Sequence, residues 1–222
     1  MATDPLDSLR AECELASELV LGLPEEDFAR PTRLPAWNVK ELLAHLYRDV
    51  NRINVGLDQT APPEPDRDSV SYWRSYDPTI DSSDIADRAK ELAASYGSGQ
   101  ELVSAWDEMW RRALGRAGTA DRDRVVVTWG PALILDEFLR TRVLELTVHR
   151  MDLNAALGLP PDPTEGGVEI TTEILLGLLD APAQDVPLDG LALIEPGTGR
   201  RPLTDEERTS LGDLADRFPL IS

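Results

Sequence analysis

Residues Glu137–Gly158 read EFLRTRVLELTVHRMDLNAALG. A helix drawn through it carries apolar residues on most of its sides, the pattern of a helix covered from several directions. Glu145, His149 and Asp152 nevertheless stand at i, i+4 and i+7, which puts all three on one face. The chain has two histidines, and one of them is here.

The partner helices follow from their own apolar stripes. In WNVKELLAHLYRDVNRINVGL, residues Val39, Leu42, Leu43, Leu46, Val50, Ile53 and Leu57 recur at helical period. Asn38 is placed as N-cap, with Glu41 three residues on at capping-box spacing. A first helix is predicted over Pro5–Leu21, and GLPEEDFARPTRLPAW follows it as a loop with three prolines. A third fits Ser83 to Gly115 with a break near YGSG, and the fourth runs from about Ala132 to Leu157. Between the second and third, DQTAPPEPDRDSVSYWRSYDPTIDSS is too rich in Pro, Asp and Ser for regular structure. Its aromatics Tyr72, Trp73 and Tyr76 either cover a pocket or pin the loop to the bundle. VVVT, Val125–Thr128, reads as a short extended piece.

Beyond GLPPDPTEGG, the segment VEITTEILLGLLDAP predicts a fifth helix. LALIE, a Pro-Gly-Thr-Gly turn and RRPL then predict a small β-hairpin. TDEERTSLGDLADRF predicts a closing helix, with Thr204 as cap and Glu207 three residues later. The fold class expected is mainly α: an up-and-down four-helix bundle over residues 1–158, with a small C-terminal α/β region of helix, hairpin and helix over 159–222.

The formal net charge of −19 excludes phosphate backbones and anionic membrane surfaces as main partners. With one cysteine, Cys13, no intramolecular disulfide can form. Cys13 sits in the amphipathic pattern LDSLRAECELASELVLGL and reads as a small packed residue. MATDPLDSL lacks the basic and apolar regions of a signal peptide, and no run of about 18 apolar residues is present to span a membrane. These features predict a cytoplasmic protein and leave its oligomeric state, monomer or dimer, open.

A carboxylate and an imidazole four residues apart on a helix can grip one metal ion. Arg142, one turn before Glu145, can orient that carboxylate. Asp152, one turn after His149, can accept a hydrogen bond from the ring nitrogen left free of metal. The second histidine, His45, lies at the margin of the second helix's stripe. If the second and fourth helices are neighbours, His45, Glu145 and His149 meet inside the bundle. Two imidazoles and one carboxylate suit zinc, and other divalent ions also fit. The plainer alternative is an ordinary Glu–His hydrogen bond on a solvated face, although Leu144, Leu146, Val148 and Leu153 leave little such face. With three ligands an open position remains, the arrangement of catalytic rather than structural sites. That position can hold water, giving a hydrolase with Asp49 as base, or the bundle can bind metal or ligand without catalysis.

PTRLPAWNVKELLAHL and GPALILDEFLRTRVLELTVHRMDLNAALG resemble the two motifs of the mycothiol-dependent maleylpyruvate isomerase family, a branch of the DinB-like metalloproteins. The resemblance implies a four-helix bundle in which His45, Glu145 and His149 bind a divalent metal, typically zinc. It implies that the open position takes the thiol of mycothiol, an actinobacterial thiol. A thiol on a dication loses its proton and becomes a nucleophile at neutral pH, toward a small electrophilic substrate in an isomerase or a thiol transferase. The resemblance stops near residue 160. The isomerase carries a larger C-terminal domain that helps form its active site, whereas about 60 residues remain here. It therefore carries the metal and the thiol, not the identity of the substrate.

Overall fold

The structure, a computed structural model, describes residues 3–62, 64–75 and 78–221, with side chains described for all of these except 78–83. The helices are α1 (Pro5–Val20), α2 (Val39–Asp58), α3 (Ser69–Arg74), α4 (Pro78–Ser95), α5 (Gly99–Thr119), α6 (Leu135–Ala156), α7 (Glu165–Leu179), α8 (Gly190–Gly197) and α9 (Asp205–Leu211). Two short strands, β1 (Val125–Val127) and β2 (Ala132–Ile134), pair antiparallel with Val126 opposite Leu133.

Local chemistry sets the helix starts. Asn38 Oδ1 accepts from the Glu41 amide at 2.9 Å, and Glu41 Oε2 accepts from the Asn38 amide at 2.8 Å, so the expected capping box starts α2. A cap of this kind stabilises a helix by about 1 kcal/mol. The same box, built from Thr204 and Glu207, starts α9. Ser98 caps α5 by accepting from the Glu101 amide at 3.1 Å.

Four helices close a ring: α2 packs on α5 and α6, and α1 packs on the same two. α4 lies outside this ring against α2, and α7 covers α6, α1 and α3. The α6 helix is therefore enclosed by α1, α2 and α7, which explains its apolar residues on most sides. Phe138, Leu139, Val143, Leu146 and Leu153 have no exposed surface. Each such side chain contributes about 1.5–3 kcal/mol of burial. Across the α1–α5 seam the Trp106 and Trp110 indoles both donate to Ser17 Oγ, at 3.0 and 2.9 Å.

The structure corrects four expectations. The third helix breaks near YGSG as expected, giving α4 and α5, but its bounds differ: α4 begins earlier than predicted, at Pro78, a residue suited to a first helical turn, and α5 runs on to Thr119. The excursion before it is not wholly irregular: Asp68 and Ser71 form a capping box that starts α3. Tyr72 and Trp73 are buried in α3, and Tyr76 lies outside the described residues. Residues 132–134, placed in the fourth helix, instead pair with the extended Val125–Val127.

The fourth correction concerns the C-terminal hairpin. Residues 190–197 form helix α8, and the region after residue 158 is helical among the described residues. LALIE buries the adjacent Leu193 and Ile194 together, which a strand with alternating faces does not do. RRPL makes a poor partner strand, because Pro202 has no N–H to donate. No helix among the described residues is long and apolar enough to cross a membrane.

Candidate metal centre

The packing of α2 against α6 brings His45 to Glu145 and His149. Glu145 Oε2 lies 3.4 Å from His45 Nε2 and 3.2 Å from His149 Nε2. One potential ligand atom from each residue falls within 4.8 Å of the other two. Among the described residues this is the one group of three or more such side chains close enough to hold an ion. The side chains of His45, Glu145 and His149 are 11, 15 and 12% exposed, so the group is nearly dry yet reachable.

Trp37 fixes the His45 ring. The indole stacks on it with centroids 4.6 Å apart and planes 25° from parallel, and meets His149 edge-on at 6.1 Å. Its own position comes from the PTRLPAW loop closing on itself. Thr32 donates to the Trp37 carbonyl through both its amide and its hydroxyl, and Pro31 bridges to Asn38.

Asp152 Oδ2 stands 2.9 Å from His149 Nδ1. In the neutral ring, Nδ1 donating to that carboxylate leaves the lone pair on Nε2, facing Glu145; in the imidazolium, Nε2 donates to Glu145 instead. Asp152 is fully buried and held by two guanidiniums. Arg200 reaches Oδ2 at 2.8 Å and Oδ1 at 3.3 Å, and Arg33 donates from Nε to Oδ1.

Arg142 does not orient Glu145 as expected. Its Nη1 donates to Asp49 Oδ1 on α2, its Nη2 to the Tyr72 hydroxyl at 3.1 Å, and its Nε to Thr141 Oγ1 at 3.1 Å. The long excursion supplies Tyr72, and the fork closes there rather than one turn along α6. Asp49 is buried, its carboxylate committed to Arg142 through one oxygen. The other, Oδ2, has no hydrogen-bond partner among the described residues.

The electrostatics follow from these contacts. Burial pushes the His45 imidazole down to about 4, against the pull of Glu145. Burial also lowers His149, but the hydrogen bonds it donates to Asp152 and Glu145 outweigh it and hold that ring above its ordinary value. Burial raises Glu145, yet the hydrogen bonds from His149 and His45 win and keep it well below the usual carboxylate range. Asp152 is likewise raised by burial and lowered further by His149 and Arg200. Burial brings Arg142 down to about 10.

His45 and Glu145 form one wall of a cavity of about 270 Å³. Arg48, Arg52, Tyr72, Trp73 and Trp129 also line it, as does Arg88, which is paired with Asp84 at 2.6 Å. Arg48 and Arg52 follow His45 at i+3 and i+7, so one face of α2 carries the imidazole and both guanidiniums. Trp129 sits at the β1–β2 turn and donates from Nε1 to the Tyr72 hydroxyl at 3.0 Å.

Arg33, Trp37 and Trp129 had no assigned role in the sequence. Trp37 lies inside the quoted motif, and its distance of eight residues from His45 gave a signal that helical spacing from Asn38 could have exposed. Arg33 and Trp129 lie on loops, where no periodicity points to a partner.

Residues 9–154 match the family described as mycothiol maleylpyruvate isomerase N-terminal domain. Two uncharacterized proteins of Mycobacterium tuberculosis, from two strains, are each 28% identical over 153 residues, covering 68% of this chain and 55% of theirs. The chain thus spans about half the length of the curated relatives it matches. A crystal structure of a mycothiol-dependent maleylpyruvate isomerase mutant is similar with a TM-score of 0.53 at 17% identity, over 84% of this chain and 70% of that one. At that identity the likeness is one of fold.

Proposed function

The chain belongs to the mycothiol maleylpyruvate isomerase N-terminal domain family, and on that premise we propose that it is a mycothiol-dependent metalloenzyme, a thiol transferase or isomerase acting on a small electrophile. The observation that carries this reading is the convergence of one donor atom each from His45, Glu145 and His149 within 4.8 Å. The donor set of two nitrogens and one oxygen fits zinc or a similar divalent ion. Glu145 supports the fit, because its nearest partners are the two imidazoles, while Arg142 is spent on Asp49. When bound there, the ion would supply the Lewis acidity that makes a thiol a nucleophile at neutral pH.

The remaining work falls to the chain's own side chains. Asp152 holds the Nδ1 proton of His149, so that Nε2 stays available as a ligand. Trp37 keeps the His45 ring from turning. Arg48 and Arg52 would bind and orient an anionic end of the electrophile, while Tyr72, Trp73 and Trp129 exclude water and pack on its planar or apolar body. Asp49 is buried and committed through Oδ1 to Arg142, a structural tie between α2 and α6, which favours the thiol reading over a hydrolase that needs Asp49 as base.

Elemental analysis of wild-type and His149→Ala protein, followed by calorimetry with mycothiol, tests the reading. Stoichiometric metal in the wild type, lost in the variant, and mycothiol binding only to the loaded protein are expected. Wild-type protein that holds no metal after incubation with zinc overturns it. So does metal-loaded protein that consumes a panel of electrophiles equally well with and without mycothiol.

A further inference from the structure

Arg200 lies beyond residue 154, where the family match ends, on the turn after α8. We infer that Arg200 is a positioning residue for the metal centre, acting through Asp152 to fix the tautomer and orientation of His149.

The geometry is that of a fork on a buried carboxylate. Arg200 Nη2 donates to Asp152 Oδ2 at 2.8 Å, its Nε reaches Oδ1 at 3.3 Å, and its side chain is 11% exposed against 0% for Asp152. Oδ2 is also the atom that accepts from His149 Nδ1 at 2.9 Å, so Arg200 and the imidazole share one oxygen. Arg33 takes the other side, on Oδ1. With both guanidiniums present, the carboxylate is pinned from two directions. Without Arg200, the remaining pull comes from Arg33 alone and draws the carboxylate off Nδ1.

The turn that presents Arg200 is itself held. Gly199 adopts a φ of +70°, a conformation that disfavours other residues, and Arg200 Nη1 donates to the Thr198 carbonyl at 2.6 Å. The Arg200 amide donates to the Glu195 carbonyl at 2.7 Å, and the Leu220 and Ile221 amides donate to the Gly197 carbonyl at 2.8 and 3.0 Å. Arg201, next in sequence, points elsewhere: it pairs with Glu207 at 2.7 Å and Glu195 at 3.4 Å. The C-terminal helices therefore brace a metal ligand on α6 through a single side chain. Removing outer partners of a metal-bound histidine costs about 10–100-fold in metal affinity.

The inference rests on the proposed metal site for its consequence but not for its geometry, and the test separates the two. The protein has two imidazoles, so a long-range proton–nitrogen spectrum of metal-free, ¹⁵N-labelled protein at alkaline pH resolves both, and a His45→Gln variant assigns them. Wild-type His149 is expected as the Nδ1–H tautomer. Arg200→Met is expected to give a tautomer mixture and, by chelator competition, zinc affinity reduced about 10–100-fold. Arg200→Lys should restore part of both. Arg201→Met, which loosens the same segment, should change neither. An unaltered His149 spectrum and zinc affinity in Arg200→Met overturn the inference, as does an equal loss in Arg201→Met. If wild-type protein binds no zinc while Arg200→Met still shifts the tautomer, the metal reading fails and the positioning role stands.

Discussion

The guanidinium of Arg142 on α6 closes on the carboxylate of Asp49 on α2, with both side chains buried. This contact joins the two helices that carry the metal-site candidates, within one turn of His45 and of Glu145. A buried pair broken on one side leaves the other charge without compensation. Asp49→Asn is therefore expected to destabilise the fold by about 3–5 kcal/mol, whereas Asp49→Leu with Arg142→Met recovers most of the loss. Urea denaturation of the wild type and the two variants checks this.

Zinc is expected to stabilise the protein by mass action. At free zinc one hundred times Kd, the gain is about 2.7 kcal/mol. In Glu145→Gln the gain should fall to near zero, while the melting temperature in excess chelator changes far less. Thermal melts with and without zinc give both readings. An equal zinc shift in the two proteins would remove Glu145 from the ligand set.

Cys13 is enclosed at the α1 interface, and burial, helped by Glu12 and Glu14, pushes its thiol well above its ordinary value. The folded state thus keeps a proton that the unfolded state releases near pH 8.5. The contribution is fully present below that pH, and stability declines as pH rises above it, by at most about 1.4 kcal/mol per pH unit. Cys13→Ser or Cys13→Ala should flatten the alkaline limb of the stability–pH curve. At pH 8 a thiol reagent should label Cys13 only after denaturant is added.

Gly99 opens α5 against Phe28, and a Cβ there would lie 2.2 Å from the ring. Gly99→Ala is expected to cost about 1–3 kcal/mol through overpacking, despite the better helix propensity of alanine. Adding Phe28→Leu should make the alanine substitution cheaper, a coupling that a double-mutant cycle measures.

Short-range chemistry was legible in the sequence. Asn38 with Glu41 and Thr204 with Glu207 marked helix starts, because caps are written within four residues. The Glu145–His149 face was legible because helical spacing is local. His45 was reachable because the chain has one other histidine. The partners of Arg142, Arg33 and Arg200 were not legible. Asp49 lies 93 residues from Arg142, and Asp152 lies 119 from Arg33 and 48 from Arg200. Ion pairs over such separations leave no periodic trace. LALIE misled for another reason: short apolar runs fit strand and helix alike, and the deciding contact with α7 is tertiary.

The arginine-lined cavity sits in a chain of formal charge −19, so an approaching anion meets opposite forces at different distances. Far out, the summed surface repels it; within a few ångströms, Arg48 and Arg52 attract it. Salt screens the long-range field first, since the Debye length is about 8 Å at physiological ionic strength. Moderate salt should accordingly speed capture of an anionic substrate, the reverse of ordinary electrostatic steering, and only concentrated salt should slow it.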